Sequence, residues 1–550
     1  MVIVSIGFLG MIARLISIQM IHHAYYEEIA DAQHTTSAVV EARRGRILDR
    51  NGFLLAGNRT VVLFQVYWPE VPLGSEALVD SFLTALGPNA LSAIPTTRQP
   101  GNQILANDVP VLSALDLMES LPAGVSFRIE QERTYPLGDN VAGIVGRFGP
   151  EGTEGLEDWL NEVLKGEDGE LQVERSAAGR FNLTDPEAEN VAAVDGQDHM
   201  LTIDARFQCI VMEELLEAVE RTGGDWGAAV VLDPSNGAVL AAASVPVRAD
   251  NGSLALNHCF QGYHEPGSTF KIVTYAACIE EGLLEPSQTF DCSDGFITVA
   301  GENIRDSHRL EVLTADEIII YSSNVGTVML SQLLSDSILY DYCREFGFGY
   351  KPIVGYPGES RGIVPVPGSA AWTGVSSAQI AIGQEVTVTP LHLALAFGAI
   401  ANGGELFYPR LLAASWTEEG WEETVPVVRS HPVSPATAAI VRRTLTSVIE
   451  EGTGTTAAVT GVSTAGKTGT AERLSEESMY LSAFVGMVPA EDPSLVVAVV
   501  IDGPDYEYRW GSASAAPAFS AMVERMLAME PELALGRGSA AADMFAEADE

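Results

Sequence analysis

Lysine is nearly missing from this chain. Of 31 basic side chains only four are lysines, Lys165, Lys271, Lys351 and Lys467, against 74 acidic groups. The formal net charge of -43 repels nucleic acid and anionic headgroups, and it suits a salty medium that screens self-repulsion. Metal-ligand spacing is missing too. The five cysteines, Cys209, Cys259, Cys278, Cys292 and Cys343, form no CxxC pair, and the nine histidines form no HExxH, so no structural zinc is expected. An odd cysteine count leaves at least one thiol free or bonded outside the chain. The others are open to one intrachain disulfide or to burial as free thiols. No basic stretch precedes the apolar start, which runs from Met1 to Ala13, breaks at Arg14 and resumes from Leu15 to Ile21. A full span takes roughly 20 apolar residues, so this one is short or interrupted. A cleaved leader would carry a basic start and a small-residue cleavage site. The expectation is an uncleaved membrane anchor over residues 1–22 whose first residues are missing; the alternative is an amphipathic soluble helix.

What is present is long and apolar enough for several cores. A chain of 550 residues, 47% of them apolar, implies about two to four domains. Residues 35–68 read as extended structure around an Asn51-Gly52 turn, with Arg43, Arg44, Arg46 and Arg50 clustered beside it. Those arginines suit lipid headgroups or, more commonly, acidic neighbours. "GTEGLEDWLNEVLKG" (152–166) has Leu156, Trp159, Leu160, Val163 and Leu164 near one face of a helix. "WGAAVVLDPSNGAVLAAASVPV" is a strand pair turning at Asn236-Gly237, and "MYLSAFVGMVPAEDPSLVVAVVIDGP" is a second hairpin. A helical middle separates them, and "APAFSAMVERMLAM" closes the pattern. Hairpins, helices, hairpins and a last helix give one domain of about 330 residues, an antiparallel sheet with helices on its faces. No internal repeat is visible, and the Ala-, Gly- and acid-rich end reads as a frayed tail.

Two of the rare lysines fall in short polar motifs. In "PGSTFK" the Pro266-Gly267 turn leads Ser268 into a helix, and Lys271 sits one turn later on the same face. Arginine cannot replace a lysine that must sometimes be neutral. A buried lysine at a helix N-terminus loses its proton near neutral pH and becomes a general base beside a hydroxyl nucleophile. Taken alone, the pair is more simply a helix cap followed by a surface lysine. In "EIIIYSSNVGTVML", Ser322, Ser323 and Asn324 interrupt an apolar run; Ser322 and Asn324 can reach one cleft, or merely cap two helices at a junction. "STAGKTGTAERL" reads as an edge strand whose glycine allows close backbone approach, with Lys467, Thr468 and Thr470 offering a carboxylate site, or simply as an ordinary Gly-Thr strand. The three together are hard to obtain by accident. They resemble the serine-lysine, serine-asparagine and lysine-threonine-glycine trio of penicillin-binding proteins and serine β-lactamases.

The chain resembles the class B penicillin-binding proteins, the peptidoglycan D,D-transpeptidases, from about residue 14 to residue 530. "RRGRILDRNGFLLA" (43–56), "RTYPLGDNVAGIVG" (133–146) and "GTEGLE" (152–157) resemble the family's pedestal motifs, and "LTIDARFQ" (201–208) the junction that follows. "VVLDPSNGAVLAAAS", "FGFG", "PGES", "AIGQ", "VTP" and "ANGG" fall in family order. The resemblance implies a multidomain fold: an anchor over 1–22, a mixed α/β pedestal of the dimerisation type over 23–200, an α+β transpeptidase domain over 201–532, and an acidic tail over 533–550. It implies Ser268 as the acylated nucleophile, Lys271 as its base, Ser322 as proton relay, Asn324 as holder of Lys271 and the substrate amide, and Lys467 as the source of the field around Ser322. Thr468, Gly469 and Thr470 would bind the terminal carboxylate, and the N–H groups of Ser268 and Thr470 would form the oxyanion hole. No metal and no cofactor are implied. The implied partners are stem peptides, lipid-linked precursor, a membrane glycosyltransferase and other division proteins, with β-lactams as covalent inhibitors. The implied location is the cytoplasmic membrane, single-pass, with catalysis outside the cytoplasm. With no glycosyltransferase block before the pedestal, the bifunctional class A arrangement is not expected. "YHEPGSTFK" is closer to the septal type than to the elongation type. A weakly active β-lactam-binding scaffold and a β-lactamase are the other readings. Two positions depart from the family: Glu385, commonly Gly, and His392, commonly Gln.

Overall fold

The computed structural model describes residues 2–23, 25–26, 35–87, 101–149, 152–175, 181–183, 190–472 and 479–537. The tail expected from 533 lies outside the described residues beyond 537. Val2–Ile16 is an α-helix continued by a π-helical turn, Ser17–Ile21, and from Ile6 to Ile16 its apolar side chains, Phe8 and Leu9 among them, are exposed. Among the described residues no helix is long and apolar enough to cross a membrane.

The chain forms two compact units. The first comprises 1–45, 58–132 and 162–197. In it the strand Leu54–Tyr67 pairs antiparallel with Asn102–Pro110 from Val61 on. Helices Glu76–Leu86 and Val111–Glu119 contribute Val79, Phe82, Leu86 and Ala114 to a core with Val62, Phe64, Val66 and Leu105. Phe64 meets Phe82 edge to face at 5.2 Å, the arrangement favoured by the ring quadrupoles.

The second unit comprises 46–57, 133–161 and 198–550. The stretches "RTYPLGDNVAGIVG" and "GTEGLE" therefore belong to it by contact. A buried ion pair joins them: Arg133 Nε donates to Glu157 at 2.6 Å, and Tyr135 donates to the same oxygen at 3.2 Å. The single amphipathic helix expected over 152–166 is corrected to two short helices, Gly155–Trp159 and Asn161–Leu164. Of the five apolar residues expected on one face, Leu156, Leu160 and Leu164 are buried, while Trp159 and Val163 are exposed. Of the arginine cluster, Arg46 is paired with Asp198 at 2.6 Å.

The second unit is built on helix α1 (Ala205–Thr222), strands β1 (Trp226–Asp233) and β2 (Ala238–Val245), helices α2 (Lys271–Glu280), α3 (Asn324–Ser331), α4 (Pro390–Ala401) and α5 (Pro435–Glu450), strands β3 (Ala465–Glu472), β4 (Tyr480–Val488) and β5 (Leu495–Asp502), and helix α6 (Ala515–Met529). The sheet runs β2-β1-β5-β4-β3, antiparallel throughout, so β3 is an edge strand. Strand alternation sends Val231, Val497, Val499 and Ile501 into a core shared with α1 and α6. Their neighbour Leu232 points the other way, to α4, where a Cβ on Gly398 would lie 2.9 Å from it. All twelve residues of α4 are buried, as its nearly uninterrupted apolar sequence requires. The five cysteines are all unpaired, and four are buried. Burial pushes the Cys278 and Cys343 thiols up to about 12, which makes them packing groups and poor nucleophiles.

Candidate active site

A cleft of about 440 Å³ opens at the edge strand. Its walls carry Ser268, Ser322, Asn324, Thr468, Gly469 and Thr470, so the structure brings the three sequence motifs together. Ser268 lies in a 3-10 turn, Gly267–Phe270, that runs straight into α2. Gly267 is left-handed, with φ +53, and a Cβ there would sit 2.5 Å from the Thr470 carbonyl oxygen. A Cβ on Gly469 would come 2.8 Å from the Pro266 carbonyl oxygen. Both glycines are needed because the nucleophile's turn and the edge strand touch backbone to backbone. That contact sets Ser268 and Thr470 side by side at one lip of the cleft.

Lys271 is fully buried on the first turn of α2. Its Nζ reaches the Ser322 carbonyl oxygen at 2.6 Å, Asn324 Oδ1 at 2.7 Å and Ser322 Oγ at 3.3 Å. The two short contacts are to groups that only accept. A neutral amine can serve both with its two hydrogens and still offer a lone pair to a hydroxyl. Burial brings its pKa down to about 7, against an upward pull from the Asp306 carboxylate. Lys467, on β3, is also fully buried and donates to the Thr468 carbonyl oxygen at 3.1 Å. Burial, and then the charge of Lys271, hold its pKa well below the usual lysine range. Each lysine thus disfavours a proton on the other.

The Ser322–Asn324 element is a bend between the helix Ala315–Ile320 and α3. Ser322 has φ +61, unusual for a side-chain-bearing residue. Ser323 caps α3, its hydroxyl accepting from Gly326 N–H at 2.9 Å. Thr468 Oγ1 lies 2.9 Å from Thr453 Oγ1, and Thr470 Oγ1 accepts from Gly511 N–H at 3.3 Å. Thr453, His308, Trp510 and Ser512 line the same cleft. Sequence reasoning missed these and Asp306, because no fixed spacing ties them to the three motifs.

The two departures from the family pattern have local structural explanations. Thr389 caps α4, and His392 stands at its third position. Thr389 Oγ1 accepts from His392 N–H at 3.2 Å, while His392 Nδ1 accepts from Thr389 N–H at 3.2 Å. This is a capping box in which a histidine nitrogen does what a glutamine oxygen does. That role makes Nδ1 the acceptor, so Nε2 carries the hydrogen and donates to the Tyr350 carbonyl oxygen at 2.8 Å. Burial takes the His392 pKa down to about 4, in keeping with this neutral tautomer. Glu385 has φ +56, where glycine is the easier residue, and its N–H donates to Glu265 at 2.9 Å.

Comparison with known proteins gives a consistent result. The family "Penicillin binding protein transpeptidase domain" matches residues 227–524, and "Penicillin-binding Protein dimerisation domain" matches 39–201. The chain is 31% identical to the stage V sporulation protein D of Bacillus subtilis over 542 residues, 93% of this chain and 82% of that protein. It is 30% identical to the probable peptidoglycan D,D-transpeptidase PenA of Neisseria meningitidis, covering 94% of this chain and 89% of that one. Among solved structures it is similar to penicillin-binding protein 3 of Mycobacterium tuberculosis complexed with aztreonam, with a TM-score of 0.69, 29% identity, and coverage of 90% and 97%. It is also similar to penicillin-binding protein 2X of Streptococcus thermophilus, with a TM-score of 0.75, 25% identity, and coverage of 90% and 81%.

Proposed function

The chain belongs to the class B penicillin-binding proteins, and on that premise we propose that it cross-links peptidoglycan stem peptides through an acyl-enzyme on Ser268. The observation that carries this reading is the convergence of Ser268, Lys271, Ser322, Asn324 and the Lys467–Thr470 strand on one cleft. Neutral Lys271 takes the Ser268 proton as Oγ attacks the penultimate D-alanine carbonyl. Negative charge develops on the carbonyl oxygen, toward the N–H groups of Ser268 and Thr470. Ser322 passes a proton to the departing amine, and D-alanine leaves. An amine of a neighbouring stem then attacks the ester, forms the cross-link and returns the proton to Ser268. Thr468, Gly469 and Thr470 hold the terminal carboxylate. The arriving carboxylate favours a proton on Lys467, and a proton there favours neutral Lys271.

Penicillin, whose amide bond takes the place of the scissile one, acylates Ser268. The test is labelling of the intact protein with a fluorescent penicillin, with Ser268→Ala beside it. A label on the first and none on the second is expected; no label on either, or equal label on both, ends this reading. The N-terminal helix with its exposed apolar side chains supports a membrane anchor, and a peptidoglycan substrate calls for a catalytic unit outside the cytoplasm. A septal role, with a membrane glycosyltransferase and other division proteins as partners, is supported by "YHEPGSTFK" and by similarity to penicillin-binding protein 3. Depletion should give filaments; round cells would assign the protein to elongation.

A further inference from the structure

We infer that Asp306 is a positioning residue for this reaction: its carboxylate fixes the Ser322–Asn324 bend against Lys271, and its charge sets the pH range in which Lys271 can act as the base. The inference rests on the reading of Ser268 and Lys271 given above.

The bend needs an external clamp. Ser322 is left-handed, a conformation that persists only when its surroundings impose it. At the start of α3 the N–H groups of Asn324 and Val325 have no helical partner. The Asp306 carboxylate accepts from both, at 3.1 Å for Val325, and from the Ser323 hydroxyl at 3.0 and 3.2 Å. A negative charge at a helix N-terminus is also favoured by the helix dipole. The preceding residue completes the clamp. Asn324 Nδ2 donates to the Arg305 carbonyl oxygen at 2.8 Å, which turns Oδ1 of the same amide toward Lys271 Nζ at 2.7 Å. Residues 305 and 306 therefore fix both the backbone and the side chain of the element that holds the lysine. Asp306 follows a hairpin of Phe296–Val299 and Glu302–Arg305 and is tied to its base, its N–H donating to the Gly295 carbonyl oxygen at 3.2 Å.

The charge acts on the same atom. The titratable groups that face Lys271 are Asp306, from the loop after the strand Glu302–Arg305, and Lys467, from β3; Ser322 and Asn324 are its polar contacts. Asp306 favours the protonated amine, and a proton on Lys467 disfavours it. Removing the carboxylate's charge leaves the amine neutral down to lower pH. The rate of acylation should then begin to rise at lower pH than in the wild type.

The experiment measures the second-order rate constant for benzylpenicillin acylation between about pH 5.5 and 9 for the wild type, Asp306→Asn and Asp306→Ala. His308→Asn is the control for the histidine on the same wall of the cleft, and thermal melts follow folding. Asp306→Asn keeps an acceptor for the α3 N–H groups and loses the charge. Its ascending limb should move to lower pH, with a plateau within about tenfold of wild type. Asp306→Ala also loses the clamp, and its plateau should fall on the order of ten- to a hundredfold, the size of one charged hydrogen bond. The limb of His308→Asn should stay in place. An Asp306→Asn limb that stays where the wild-type limb lies, or moves up, overturns the inference even if the alanine variant fails to fold. A wild type that does not acylate at Ser268 removes the underlying reading instead.

Discussion

Replacing Lys271 with arginine keeps a positive charge and should nearly abolish acylation. Lys271 is enclosed, with no exposed surface, and its amine meets acceptor atoms at 2.6 and 2.7 Å. With burial holding its pKa down at about 7, well below the usual lysine value, a neutral amine is accessible at neutral pH. Arginine stays protonated at any workable pH and has no lone pair to take the Ser268 proton. Loss of general-base assistance alone costs about 100- to 10,000-fold. The longer, planar guanidinium must also fit a packed site, which destabilises by about 1–3 kcal/mol. The assay is the benzylpenicillin acylation rate constant at mildly alkaline pH, with circular dichroism and a urea melt to show that the variant folds. Lys467→Arg is the contrast, since its role is mainly electrostatic and arginine should be tolerated better there. A Lys271→Arg variant within about tenfold of wild type would refute the base assignment. A Lys467→Arg variant that is the slower of the two would mean the roles of the lysines are reversed.

The other expectations concern stability. Glu385→Gly removes a side chain from a left-handed position together with a carboxylate oxygen that is buried without a hydrogen-bond partner, so it should stabilise by about 1 kcal/mol in urea melts. A loss of stability would mean that Glu385 makes a contact worth keeping. Glu157→Ala leaves Arg133 buried beside an empty site and should cost about 3–5 kcal/mol; a cost below about 1 kcal/mol would show the pair to be dispensable. Burial holds the pKa of His258 and His392 at about 4 and that of His264 at about 3, each below the unfolded value near 6.5. These histidines therefore take up protons on unfolding. Their contribution is fully present above about pH 6.5 and is lost as pH falls from there toward 4, at up to about 1.4 kcal/mol per pH unit for each histidine. Urea midpoints that stay flat across that window would contradict their burial as neutral rings.

The eight motif residues were legible in the sequence because each motif is short and its chemistry demands unusual residues, above all lysine in a chain that avoids it. The sheet was legible because its strands alternate or run apolar and its turns carry Asn236-Gly237 and a proline-containing loop. Asp306 was not. Its partners lie 17 to 19 residues away, beyond the short strand Val312–Thr314 and the helix Ala315–Ile320, and no periodicity links a loop aspartate to a helix N-terminus at that distance. The helix expected over 152–166 failed because five apolar residues within reach of one face do not show which will find a neighbour. Trp159 instead lies beside Gly355, where a Cβ would come 2.5 Å from its ring. His392 and Glu385 were visible as departures, yet only the capping box and the backbone angle at 385 show that both act on local structure and touch no reacting atom.

The central claim is that Ser268 transfers a stem-peptide acyl group to a neighbouring amine. Its most direct measurement supplies the purified full-length protein with nascent, uncross-linked peptidoglycan and counts released D-alanine against cross-linked dimers. Release and cross-links in equal number, both absent with Ser268→Ala, are expected. A folded wild type that binds penicillin but yields neither product would contradict the claim, and D-alanine released without cross-links would show the acyl-enzyme passing to water instead of to an amine.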